Sequence, residues 1–402
     1  MRRQGTRVAV KVAATLFFFA FSGSATWAQG TYQVIFNFGE YPSQAYQPWS
    51  GVVLDAHGDI YGNTEWGGNE GNGTVYQLLR NNDGGWTYAT LHSFGYYDPG
   101  SAPVTTMVRD QLGRLYGTNT AQVFELVPNT SISWAFSSLH NFTGGGDGAC
   151  NDLCSVSMDG AGNLYGSTPA GGTNNVGVVF KIGSSGFNVL YNFTGGDNGG
   201  YGVGQLAFDN QGNIYGTTVD GGVYGLGVVY QLSPSGTYTV LHNFSGPPDG
   251  AQSGGGLVMA ADGNLYGTTA NGGAEDSGSV FRLTPNGNGT WTEQVLYSFQ
   301  QGSGGFFPQA VPTMDAAGNL YGTTVSGGGS NSYGTIYKLT HSNGEWSETV
   351  VHAFQGPPND GNNPIYVPVA IDSAGNIYGT TTMGGIYDGN GEGFGTVWEF
   401  TP

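Results

Sequence analysis

Gly212-Asn213-Ile214-Tyr215-Gly216-Thr217-Thr218, followed by Gly221-Gly222 and then Gly227-Val228-Val229-Tyr230-Gln231-Leu232, is the stretch from which the fold can be read. Variants of it recur along the chain. The tyrosine of the Tyr-Gly core falls at Tyr61, Tyr116, Tyr165, Tyr215, Tyr266, Tyr321 and Tyr378, seven copies at intervals of 49 to 57 residues. A period of that size signals a repeat architecture, and here it fits a β-propeller. Each copy divides into four strand-like pieces. In the fourth copy they are Gln205 to Phe208, Asn213 to Thr218, Gly227 to Leu232 and Tyr238 to Phe244, each rich in β-branched or aromatic residues and bounded by Gly, Pro, Asn or Asp. Four short antiparallel strands make one blade, so the expected fold is an all-β, seven-bladed propeller.

The two chain ends bear on closure. Tyr32 to Phe38 resembles the fourth strand of the other copies, such as Phe187 to Phe193 and Tyr238 to Phe244, with an aromatic six residues before the closing Phe. The C-terminal Gly395-Thr396-Val397-Trp398-Glu399-Phe400 is a third strand with no fourth behind it. Residues 29–38 are therefore expected to supply the last blade's fourth strand, closing the ring and removing two exposed edges. Residues 29–402 form a single domain on this reading.

Composition agrees. Glycine accounts for 74 of 402 residues, without the three-residue period of collagen, and the eight Trp, 24 Tyr and 22 Phe carry too much apolar surface for a disordered linker. Residues 1–28 read as a signal peptide: Arg2, Arg3, Arg7 and Lys11 make a positive start, Val12 to Phe21 an apolar core, and Ala25 to Ala28 a small-residue exit. The apolar core is too short to span a bilayer, which needs roughly 20 residues. Cleavage is expected after Ala28, with Ala25 as the alternative. The remainder carries six basic against 28 acidic side chains, which repels nucleic acid and anionic lipid. A secreted, monomeric protein is expected, extracellular or periplasmic. Cys150 and Cys154 are the only cysteines, and in an exported chain a pair four apart with no nearby His is expected to form a disulfide.

The turn between first and second strands reads Asp-x-x-Gly-Asn at Asp159 to Asn163, Asp209 to Asn213, Asp315 to Asn319 and Asp372 to Asn376. An Asp that accepts from backbone two residues on, with Gly at positive φ, makes a tight turn. A calcium loop is the rival reading, but the terminal bidentate Glu is missing.

Leu-Tyr-Gly-Thr-Thr, then Gly-Gly, then Gly-Thr-Val-Phe-x-Leu resembles the GloVer tandem repeat of bacterial exported proteins, over roughly residues 30 to 402. The resemblance implies an extracellular repeat protein and no transferable activity. Many relatives end in a surface-anchoring segment, whereas this chain ends at Pro402 directly after a strand, which favours free secretion.

Chemistry is harder to find. His92, His140, His242 and His352 stand two residues before the closing Phe of four different blades, so they do not converge on one ion, and no metal, cofactor or catalytic residue is expected. The loops that break the repeat are more informative. Those between second and third strands, and those joining blades, open on one face. They carry Glu65, Trp66, Glu70, Tyr96, Tyr97, Asp98, Tyr201, Tyr224, Phe306, Phe307, Tyr387 and Asp388. Aromatic platforms beside hydrogen-bonding carboxylates suit sugar rings, so an extracellular polysaccharide or a cell-surface protein is the expected partner. Two alternatives stand beside binding: a carbohydrate-active hydrolase or lyase using carboxylates near the central channel, with Glu65 and Glu70 as candidates, and a scaffold without a small ligand. Trp86, Trp134, Trp291 and Trp346, eight before the closing Phe, are expected to pack the longer hairpins on the opposite face.

Overall fold

The computed structural model describes residues 26–27, 30–39, 45–96, 98–129, 133–151, 154–386 and 392–402, so nearly all of the expected signal peptide lies outside the described residues. Seven four-stranded antiparallel blades form a propeller ring. The second strands, which carry the Tyr-Gly core, are Ile60–Thr64, Leu115–Thr118, Leu164–Ser167, Ile214–Asp220, Leu265–Thr269, Leu320–Thr324 and Ile377–Thr381. The helical content of the described residues is one short 3-10 turn, Gly196–Asn198.

The ring closes as the chain ends suggested. Thr31–Asn37 pairs antiparallel with Thr396–Thr401, in register Tyr32↔Phe400 and Val34↔Trp398, and supplies the fourth strand of blade seven. Thr26–Trp27 lies parallel to the fourth strand of blade six.

Each residue of the Tyr-Gly-Thr-Thr core has its own structural task. The tyrosine hydroxyl donates to the turn aspartate, as Tyr215 does to Asp209 at 3.0 Å and Tyr378 to Asp372 at 3.2 Å. The glycine lies under the third-strand aromatic ring directly across the ladder: Gly62 faces Tyr76, Gly216 faces Tyr230, Gly379 faces Trp398. A Cβ on any of these glycines would fall inside the opposite ring. Those rings are fully buried, so the space has no slack. The first Thr, or Asn63 in blade one, reaches the next blade: Asn63 donates to the Thr105 carbonyl, Thr118 to Cys154, Thr268 to Ala310, Thr323 to Val367 and Thr380 to Ser50. The second Thr pairs with a hydroxyl of the third strand, 2.8 Å apart in Thr64–Thr74, Thr324–Thr335 and Thr381–Thr396. The repeated sequence thus encodes both the blade and its attachment to the following one.

Packing between blades is apolar. Phe38, Tyr378 and Val397 of blade seven pack with Ile60, Tyr76 and Leu78 of blade one, and each further seam has a similar cluster. The Asp turns are saturated: Asp209 Oδ1 accepts from the backbone N–H groups of Gln211 and Asn213, and Oδ2 from the Asn213 amide and the Tyr215 hydroxyl. Partial burial works against ionisation of Asp209, but these bonds outweigh it and hold the carboxyl below its usual range. A carboxylate so occupied pins the turn between the first and second strands. Cys150 and Cys154 form the expected disulfide. Trp134 packs on Tyr61 and Trp291 on Tyr215, so these tryptophans serve the seams they face.

Candidate functional site

One face of the ring is stitched together by backbone. The segment entering each blade bridges to the loop between that blade's second and third strands, as in Tyr46↔Trp66, Ala149↔Ala170 and Phe306↔Ser326. The turn residue of each entering segment takes positive φ although none is glycine: Gln47, Ala102, Asn151, Tyr201, Gln252, Phe307 and Asn363, at φ from 40 to 63°. Six of them donate their N–H to the second-to-third-strand loop of the preceding blade, including Gln47 to Phe394 across the closure. This left-handed conformation costs a non-glycine residue about 1–2 kcal/mol, so the two-sided backbone pairing is what holds these side chains in a fixed ring, one per blade.

Inside that ring lies a cavity of about 220 Å³ in the central channel. Its wall includes Val104, Val203, Val219, Ala310 and Val311, with Thr105, Thr106, Gln205 and Gln309 as polar members, and Tyr201 and Tyr366 among its residues. Among the described residues, the lining contains no Asp, Glu or His. The space arises where the sevenfold pattern fails. Gly254, Gly255 and Gly256 lead into the inner strand of blade five as a run of three glycines that no other copy has there; a Cβ on Gly255 or Gly256 would strike the backbone of Ala310 and Val311 or of Gln205, and the inner segments of blades four and five bridge each other directly, Gln205↔Gly256. The cross-blade hydroxyls of blades three and four, Ser167 and Thr217, accordingly have no hydrogen-bond partner. Burial, and secondarily the neighbouring Tyr201 phenol, raise the Tyr366 hydroxyl above its usual pKa and keep it a neutral donor.

The expected loop residues are dispersed over this face. Tyr201 lines the cavity; the others expected that lie among the described residues do not. Tyr96 and Tyr224 are 82% and 61% exposed, and Trp66 is 38% exposed beside the blade-one entry. Glu70 is exposed and Glu65 half-buried, its N–H bonded to the Gln47 carbonyl. Phe306 and Phe307 pack on each other, ring centroids 4.9 Å apart. Asp98 is engaged elsewhere, accepting from Gly95 N–H and pairing with His92. Tyr97, Tyr387 and Asp388 lie outside the described residues. Of the seven exposed large hydrophobics among the described residues, Leu112 is the one on the opposite face; Trp66, Tyr96, Tyr201, Val223, Tyr224 and Ile386 share the loop face. Tyr366 and the amide and hydroxyl members of the cavity were not read from the sequence. The glycine run at Gly254 to Gly256 is the local signal that marks where the repeat departs from its pattern.

The histidines form a second constellation, one at each of four seams. Nε2 of His92, His140, His242 and His352 lies 3.2, 3.1, 3.1 and 2.8 Å from Asp98, Asp147, Asp249 and Asp360. Each aspartate stands on the connection to the next blade, so each pair ties an outer strand to the crossing segment. Burial lowers the His92 pKa despite the opposing pull of Asp98. Two seams carry carboxylates at the outer edge instead of rings, Glu293 and Glu348. Burial pushes Glu348 up to about 7, although the Tyr297 hydroxyl donates to it at 2.8 Å. The folded chain therefore holds this proton more tightly than the unfolded one, whose carboxyl titrates near 4.5. The stability so contributed is present in full below that value and is lost as pH rises to about 7. Melting temperature is expected to fall by a few degrees between pH 5 and pH 8, and Glu348→Gln to flatten that fall. Calorimetry at matched ionic strength checks it; a parallel fall in the variant would assign the dependence to other groups.

No curated protein matches the sequence. Among solved structures, a virginiamycin B lyase from Staphylococcus aureus is similar, with a TM-score of 0.58 and 12% identity over 93% of this chain and 100% of that one. The extracellular domain of a hybrid two-component system of B. thetaiotaomicron aligns with a TM-score of 0.54 and 16% identity over 94% of this chain, which spans 41% of that chain. A fungal alcohol oxidase of the AA5 family, solved with copper, aligns with a TM-score of 0.56 and 15% identity over 92% of this chain and 76% of that one. At these identities the likeness is one of fold. The Gloeobacter/Verrucomicrobia repeat matches residues 21–206 and 119–328, together well over half of the sequence, and the chain belongs to that repeat family.

Proposed function

We propose that this is a secreted binding propeller that engages a neutral extracellular glycan, or a surface protein bearing one, through the loop face and the mouth of the central channel. The observation that carries the reading is the character of the cavity: apolar walls, neutral amide and hydroxyl members, two tyrosines, and, among the described residues, no carboxylate or imidazole in the lining, on the face that also holds six of the seven exposed large hydrophobics described. Sugar rings present apolar faces and hydroxyl edges, and small-ligand sites combine the same two kinds of surface. Export is supported by the positively charged, apolar N-terminal segment and by the Cys150–Cys154 disulfide, which suits an oxidising compartment.

The test is depletion of residues 29–402 from solution by a panel of insoluble polysaccharides, with released sugar assayed in parallel. Binding without release is expected. Tyr201→Ala combined with Tyr366→Ala is expected to weaken retention about tenfold or more, as loss of central aromatic anchors does. Sugar release abolished by Glu65→Gln or Glu70→Gln would replace the binding reading with the enzymatic one. Absence of both retention and release would leave the scaffold.

A further inference from the structure

The seven seams share one outer contact, and one of them departs from it in a way that points to a ligand. The residue two before the closing Phe of one blade meets the residue six before the closing Phe of the next. At five seams both are rings: Phe36 on Tyr88, His92 on Phe136, His140 on Phe187, Tyr191 on Tyr238 and His352 on Tyr32, stacked with centroids 3.5 to 5.0 Å apart. At the seam of blades five and six, Tyr297 donates to Glu348. At the seam of blades four and five the pair is His242 and Glu293. Here the histidine has a carboxylate where three other histidines have an aromatic cover.

We infer that His242, Asp249 and Glu293 form a binding site for a single divalent transition-metal ion of the zinc type. One ligand atom from each residue lies within 4.8 Å of the other two. His242 Nε2 and Asp249 Oδ2 are 3.1 Å apart and hydrogen-bonded, as in the other three pairs, while Oδ2 also accepts from the Ser245 N–H and hydroxyl; zinc would take the place of the shared His–Asp proton, and the spacing is already close to the roughly 3.3 Å between two ligand atoms on a tetrahedral ion with bonds of about 2.0–2.1 Å. Glu293 supplies the third atom, and its Oε1 is buried with no hydrogen-bond partner. A carboxylate oxygen shielded from water and unpaired is costly, and a cation facing it removes that cost. One imidazole nitrogen with two carboxylate oxygens suits zinc and its neighbours rather than calcium or magnesium, which prefer all-oxygen sets. The other three histidine–aspartate pairs lack a third ligand because the stacked ring occupies its place, so the sequence carries its own controls.

The test uses tag-free protein of residues 29–402, stripped with chelator and titrated with zinc chloride by calorimetry, with melting followed in parallel. One equivalent is expected to bind and to raise the melting temperature, as any ligand of the folded state does. Glu293→Gln is expected to weaken zinc at least tenfold. Glu293→Phe restores the stack seen on His140; it is expected to fold with an unchanged or higher melting temperature and to show no zinc-dependent shift. Zinc bound equally by Glu293→Phe, no zinc bound by the unaltered protein, or an equal shift with calcium chloride would each overturn the assignment.

Discussion

Removal of residues 30–38 is expected to leave the protein insoluble, or folded with a melting temperature lowered far beyond any point substitution. The deleted strand pairs along the whole of Thr396–Thr401, and without it the third strand of blade seven becomes an open, apolar edge. It also carries contacts that belong to both neighbours. Tyr32 stacks on His352 of blade six at 3.5 Å, Phe36 on Tyr88 of blade one at 5.0 Å, and Phe38, 1% exposed, lies within the cluster joining blades seven and one. Two of the seven seams lose their outer half together. Phe38→Ala isolates the packing term and is expected to cost about 3–5 kcal/mol, the usual loss for a large buried aromatic. Soluble yield and thermal unfolding check both changes, and an unaltered melting temperature after the deletion would mean that the ring does not close through this strand.

Gly216→Ala is the second change with a large expected effect, despite adding a single methyl group. The new Cβ would meet the ring of Tyr230 and the side chain of Leu206, and Tyr230 is fully buried in the seam toward blade three. Neither neighbour has room to retreat in a close-packed interior, so a loss of about 1–3 kcal/mol is expected. Tyr230→Leu, which also costs stability by leaving a gap, should recover part of the loss when combined with Gly216→Ala. A coupling of that sign in a double-mutant cycle is the measurement; strictly additive losses would show that ring and glycine do not meet. The same relation holds in every blade, which explains why the Tyr-Gly pair is the most regular feature of the chain.

The sequence by itself determined the fold, the number of blades, the closure and the role of the Asp turns. Each of those rests on partners lying within one repeat, or on a pattern shared by seven copies. Tyr215 bonds Asp209 six residues away, Gly216 meets Tyr230 across one hairpin, and both relations recur often enough to be read as spacing. The family follows from the same regularity.

Tertiary structure decided the candidate sites. The cavity collects residues mostly from the segments that lead into the innermost strands, which are weakly patterned, and Tyr201 and Tyr366 come from blades four and seven. Gly254 to Gly256 break the repeat beside the cavity, and periodicity does not show that Gly255 and Gly256 thereby let the backbone of Ala310, Val311 and Gln205 come close. The outer seam is similar. His242 and Glu293 are 51 residues apart, and each looks ordinary within its own copy: one histidine among four, one acid among 28. Only side-by-side packing of blades four and five brings them together over Asp249, because the ring turns a separation of one repeat into direct contact. Position within a blade is local chemistry, whereas what crosses a seam or faces the axis depends on the closed ring.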